Sequence, residues 1–152
     1  MKKLLLLLLC VPLIGLGQNR YHIDEVITPN DTLTYLKKDM SLVNGIVYVA
    51  QSGKLYAEIE FKDGKRDGIF KGYSIVHPGK LLTEANWKDG REHGTWKDYY
   101  ENGQLQAEKN YTLGKLISQR CWDEEGNKIE CEEEGRDDSE NETEDKGPGP
   151  EK

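Results

Sequence analysis

Glycine recurs through the middle of this chain at the spacing of hairpin turns. Ser52-Gly53, Asp63-Gly64, Pro78-Gly79, Asp89-Gly90, Asn102-Gly103, Leu113-Gly114 and Glu125-Gly126 each separate short runs of alternating apolar and polar residues. Asp-Gly and Asn-Gly are strong signals for two-residue turns, whose central residues need positive φ. Gly53 to Gly64, Gly79 to Gly90 and Gly103 to Gly114 are each eleven residues apart. The larger period is roughly 23 to 26 residues, the size of one unit in a repeat protein. The pattern predicts an all-β chain, an elongated antiparallel β-meander of repeated hairpins.

Treating each x-Gly pair as a two-residue turn fixes a trial register. Trp96 then stands opposite Lys109, Ala50 opposite Leu55 and Tyr111 opposite Leu116. The same rule puts Thr83 opposite Trp96, Phe70 opposite Trp87, Ala57 opposite Phe70 and Tyr48 opposite Ala57. These pairings gather Ile46, Tyr48, Ala57, Ile59, Ala85 and the rings of Phe61, Phe70, Trp87, Trp96, Tyr100, Tyr111 and Trp122 on one face. A one-residue slip would send the rest of the ladder to the other face. The rings are expected to be structural rungs, with Gly64, Gly68, Gly90, Gly94 and Gly103 shaping the turns and strand entries.

The opposite face is mostly Lys, Glu, Gln, Asn and Thr after about residue 84 and mixed before it, with Val47, Val49, Tyr56 and Ile69. The lead-in segment 18–43 is expected to pack there. A single-layer sheet with one aromatic face also needs a cover, from curvature, self-association or a partner. Tyr99 falls on the polar face in this register and is a candidate partner-binding residue.

The chain ends read differently from this body. Met1-Lys2-Lys3 precedes the apolar run LLLLLLCVPLIGLG, and Gly15-Leu16-Gly17 has the small-x-small pattern that signal peptidase accepts. Residues 1–17 are therefore read as a cleaved signal peptide, which predicts a secreted or periplasmic protein. Cys10 lies within the apolar run after Leu9 and is read as part of it. At the other end, 132–152 carries ten acids against three basic residues, a charge of −7 that equals the formal charge of the whole chain. It has no apolar residue to bury, so a disordered acidic tail is expected. Setting aside this tail and the two leader lysines leaves about −2 on the body. The body offers no basic patch, which argues against a nucleic-acid partner. Membrane contact is expected only in passing, through the leader.

FKDGKRDGIFKGY (61–73), WKDGREHGTWKDYYENG (87–103) and YTLGKLIS (111–118) resemble units of the MORN-repeat variant family. The resemblance runs over about 44–130, and the repeat region is placed at 44–131. In the last unit Ser118 stands where the second glycine belongs. The resemblance implies a MORN-type sheet of hairpins and brings no catalytic residue with it. Bacterial members are often labelled antitoxin-like, of the YwqK type. Similar eukaryotic repeats serve as scaffolds and were proposed to bind phospholipids.

Residues with chemical potential are few and scattered. His93 occupies a slot beside a turn that holds Asp67 in the preceding unit, so the repeat explains it without general-base chemistry. His22 and His77 have no Cys or carboxylate at metal-ligand spacing around them. Gly64-Lys65-Arg66-Asp67-Gly68 lacks the Gly-Lys-Ser/Thr of a phosphate loop and reads as a turn. No catalytic group, metal or cofactor is expected. Cys121 and Cys131 are candidates for a disulfide in an exported chain. The trial register opposes it: Trp122 meets Ile129 and the cysteines face opposite sides, so pairing needs a three-residue loop. The chain is thus expected to be a non-catalytic interaction module for a protein or glycan, with an antitoxin-like inhibitor of a cognate toxin as the alternative.

Overall fold

The computed structural model describes residues 18–30 and 32–132. The leader 1–17 and the acidic tail apart from Glu132 lie outside the described residues. Short strand β1 (Arg20–His22) leads through a 3₁₀ turn (Ile23–Glu25) into the ribbon strands β2 (Val26–Ile27) and β3 (Tyr35–Leu36). Then come β4 (Gly45–Gln51), β5 (Lys54–Lys62), β6 (Lys65–Tyr73), β7 (Leu81–Lys88) and β8 (Arg91–Tyr99). β9 (Leu105–Thr112), β10 (Lys115–Trp122) and β11 (Lys128–Ile129) complete the chain. From β4 to β11 every strand pairs antiparallel with the next, and β1 adds to the outer side of β4 in parallel, giving a nine-stranded sheet. The architecture is the long antiparallel meander of hairpins that the turn spacing predicts.

The tight turns have the expected chemistry. Asp63 and Gly64 have φ of 50° and 75°, Asp89 and Gly90 of 50° and 82°. Positive φ at both central positions matches the right-handed twist of the flanking strands. The turn glycines also link successive units. Gly64 N–H donates to the Val43 carbonyl at 2.9 Å, Gly90 N–H to Arg66 at 2.8 Å and Gly114 N–H to Glu92 at 2.8 Å.

The register departs from the trial one at β-bulges. Between Ile59↔Phe70 and Phe61↔Arg66, β6 takes four steps where β5 takes two; β8 repeats this between Ala85↔Trp96 and Trp87↔Glu92. The extra residues include Gly68 and Gly94. Gly68 also has a close neighbour: a β-carbon there would run into the Glu60 side chain. Two extra residues preserve the face but change the partner. Trp96 therefore meets Ala85 rather than Thr83, and Phe70 meets Ile59 rather than Ala57. Across β6 and β7, the connection over 74–80 replaces a two-residue Pro78-Gly79 turn, so Phe70 meets Ala85 rather than Trp87. Trp96↔Lys109, Ala50↔Leu55 and Tyr111↔Leu116 are paired as the turn rule gives them.

Single-residue bulges do change the face. Tyr56 is the extra residue opposite Val49 and Ala50, so β4 turns over: Val47 meets Ile59 and Val49 meets Ala57, while Tyr48 meets Glu58. Val47 and Val49 thus join the aromatic face, and Ile46 and Tyr48 leave it. The lead-in follows them. Val26, Leu36, Val43 and Val47 form the buried core, with Tyr21, Ile59 and Phe61 packed against it. The lead-in therefore covers the beginning of the aromatic face, not the opposite one.

Ile117 is the extra residue of β10. Past it, Cys121 pairs with Ala107 and Ile129, and Trp122 with Lys128, so Trp122 leaves the aromatic face. The turn holds three residues, Glu124 to Gly126, between Asp123 and Asn127, whose backbone groups bond at 2.9 Å. Cys121 and Cys131 now share a side and are joined as a disulfide, with α-carbons 5.2 Å apart. The trial register's objection to this bond fails because the turn holds three residues rather than two, the loop that pairing the cysteines needs.

The opposite face is a charge ladder. Glu58, Lys71, Glu84, Lys97, Glu108 and Arg120 stand successively opposite one another across β5 to β10. Signs alternate at every step. Arg20 continues the series beyond Glu58, at 2.9 Å.

Candidate functional site: an aromatic groove

Where the β2–β3 ribbon stops covering the sheet, a groove of about 730 Å³ remains between them. Ile23, Val26 and three threonines, Thr28, Thr32 and Thr34, line it from the lead-in. Val47, Ile59, Phe61 and Phe70 supply the sheet side near the core, and Thr83, Trp87 and Trp96 extend it. Phe61 and Trp87 occupy equivalent positions of successive units, two residues before an Asp-Gly turn. Strand alternation brings them onto one face with Phe70 and Trp96. All four rings remain partly exposed.

The rings form a tilted series. Trp87 and Trp96 have centroids 6.4 Å apart, and Trp96 and Tyr111 6.0 Å. Such offsets suit the positive edges and negative faces of aromatic rings. The Arg66 guanidinium lies 4.8 Å over the Trp87 ring. Asp98 holds Trp96 in place: Oδ1 accepts from Trp96 Nε1 at 3.1 Å and from Thr83 Oγ1 at 2.9 Å. Thr28 and Thr34 bond to each other at 2.9 Å. Trp87 Nε1 is buried without a hydrogen-bond partner among the described residues.

The other singled-out residues lie elsewhere. Tyr100 donates to the Trp122 carbonyl at 2.9 Å, tying two units at the far edge. Alternation puts Tyr99 on the charged face with Lys97. Its counterpart one unit earlier, Tyr73, donates to Glu58 there at 3.1 Å. Burial, with the Glu58 carboxylate second, raises the Tyr73 pKa. His93 is exposed on β8, whereas His22 ends β1 and His77 lies in the connection between β6 and β7. His22 contacts the Ala50 carbonyl through Nε2 at 3.0 Å.

His77 belongs to a turn lock. Its Nδ1 lies 2.9 Å from Glu101 Oε2, while Ser74 Oγ donates to Glu101 Oε1. The Ser74 bond, with His77 second, lowers the Glu101 pKa. Ser74 is fully buried and its Oγ also accepts the Val76 and His77 N–H groups. With Glu101 between the serine and the histidine, this is a clamp between loops and lacks the nucleophile–base contact of acyl-transfer sites. Among the described residues no group of three His, Cys, Asp or Glu is placed to hold a metal ion.

Arg66 and the threonine wall were not singled out from the sequence. Arg66 is one residue of a turn-like stretch, and only the fold reveals that it stacks on a ring of the next unit. The threonines come from a lead-in outside the repeat.

No curated protein and no solved structure matches the chain. The family model described as MORN repeat variant matches residues 92–113, which are β8 from its second residue, the Asn102-Gly103 turn and β9. One hairpin of this meander is thus similar to a MORN repeat variant.

Proposed function

We propose that this chain is an exported, non-catalytic β-repeat module that binds a protein or glycan partner through the aromatic groove. The carrying observation is the half-covered aromatic face. The lead-in closes it over Val47, Ile59 and Phe61, while Phe70, Trp87 and Trp96 keep partial exposure beside a groove of about 730 Å³. Largely apolar concavities with few polar groups are the usual form of a binding site. The Cys121–Cys131 bond suits an oxidising compartment, in line with the leader-like start of the chain. The likeness of residues 92–113 to a repeat found in binding modules points the same way.

Site-specific photocross-linking in cells tests this. A photoreactive residue at Thr32, in the groove wall, should give a discrete adduct, whereas one at Lys97 on the charged face should not. Equal labelling, or none at Thr32, sinks the groove as the binding face. Fractionation with mass mapping of the N-terminus tests export. A chain starting near Gln18 outside the cytosol supports it. An intact Met1 in the cytosol overturns it and brings the antitoxin-like alternative forward.

A further inference from the structure

The groove's own hydrogen-bond accounting narrows the partner class, on the premise that the groove is the binding face. Arg66 is the one ionisable side chain among its described lining residues. Its guanidinium rests on the Trp87 ring, and no described carboxylate lies within ion-pair distance of it. The other polar side chains are partly engaged. Thr28 and Thr34 bond each other, and Thr83 and Trp96 both donate to Asp98. Trp87 Nε1 is closed off from solvent. What is left for a ligand is the Thr32 hydroxyl, one O–H of the Thr28–Thr34 pair, spare acceptor lone pairs on the threonines and, as the one charge, the Arg66 guanidinium.

The groove's mostly apolar lining and single charge favour a protein partner over a glycan. Each sugar ring brings several hydroxyls, and burying one without a hydrogen-bond partner is unfavourable. A lining that is mostly apolar and aromatic, with its few polar groups on the threonine wall and Arg66, leaves many of them unmatched. An apolar side chain asks for no hydrogen bond, and a neighbouring carboxylate supplies what Arg66 lacks. Stacking on Trp87 holds the guanidinium plane ready for a bidentate carboxylate. From Val47 to Trp96 the face crosses four strand spacings, about 19 Å, which is the reach of about six extended residues. We infer that the groove takes a protein segment in which apolar anchor side chains sit beside a single carboxylate paired with Arg66.

The test uses protein purified from cells expressing the full chain. A displayed random-peptide library is selected against it, and an array of uronate oligosaccharides is probed in parallel. Enriched peptides are resynthesised and titrated against wild type, Arg66→Gln, Arg66→Lys and the groove-filling Thr32→Trp, each checked for an unchanged melting curve. The expected peptides share an acidic residue beside apolar ones. Their affinity should fall at least tenfold in Arg66→Gln, recover in part in Arg66→Lys, and be lost in Thr32→Trp. Peptides without an acid, or equal affinity for Arg66→Gln, overturn the inference. Oligosaccharide binding that Thr32→Trp abolishes also overturns it, yet leaves the groove as the binding face. Ligands indifferent to Thr32→Trp, or none from either source, overturn the groove reading itself.

Discussion

Lys88 Nζ lies 2.9 Å from Asp67 Oδ2, and the Asp89 N–H reaches the same carboxylate oxygen at 3.1 Å. Asp67 follows one tight turn and Lys88 precedes the next, so a single carboxylate joins consecutive units. The Lys88 hydrogen bond, with the Asp89 N–H second, holds the Asp67 pKa below its ordinary value. A lowered folded pKa means that the folded state binds fewer protons than the unfolded one. Stability from this group is therefore present above the unfolded value of about 3.9 and is lost as pH falls through the folded value. Glu101, also lowered, acts in the same direction. Asp67→Asn should shrink the drop in melting temperature between pH 6 and pH 3. An identical drop in variant and wild type would remove Asp67 from the acid response.

Trp96→Ala should destabilise the sheet by about 2–3 kcal/mol, less than the ~3–5 kcal/mol of a fully buried ring, because Trp96 keeps part of its surface in water. The ring contacts to Trp87 and Tyr111 go with it, as does the indole bond to Asp98. Urea denaturation reads this directly. An unchanged midpoint would mean that the aromatic series does not support the sheet.

The charge ladder makes a salt-dependent prediction. Glu84 stands between Lys71 and Lys97. Glu84→Lys would set three like charges in a row, costing about 1 kcal/mol at low salt. Screening shortens the reach of these charges to ~3 Å at 1 M salt, so the deficit should largely vanish there. Glu84→Gln should lose less. A Glu84→Lys deficit that does not respond to salt would point to packing instead.

Cys131→Ser removes the tie that ends the sheet. Closing a loop of this length is worth about 2–3 kcal/mol at most. Reductant should lower the denaturation midpoint of the wild type to that of Cys131→Ser and leave the variant unmoved. A reductant effect of equal size on both would trace it to something other than this bond.

Much of the fold was legible because turn chemistry is local. Asp63-Gly64 and Asp89-Gly90 specify their own backbone, and eleven-residue spacing specifies hairpins. The register was only partly legible. Bulges at Tyr56 and Ile117 are settled by neighbouring strands, and each moved residues across the sheet: Val47 inward, Trp122 outward. A three-residue last turn, rather than two, brought Cys121 into reach of Cys131. The site was half legible. Phe61, Phe70, Trp87 and Trp96 stood out by repetition. Arg66 and Thr32 did not, because their role depends on a ribbon and a sheet meeting through residues distant in sequence.

The unbroken neighbour-to-neighbour pairing from β4 to β11 carries a kinetic consequence. Almost every strand contact closes a short loop, so contact order is low and folding can spread outward from any formed hairpin. Such a chain has no central keystone. Its two ends open most easily, and each is fastened differently: the first by the small apolar core under the ribbon, the last by a covalent clasp. The groove lies beside the first fastening and away from the second, so a partner seated there would slow fraying at the end that has no covalent hold.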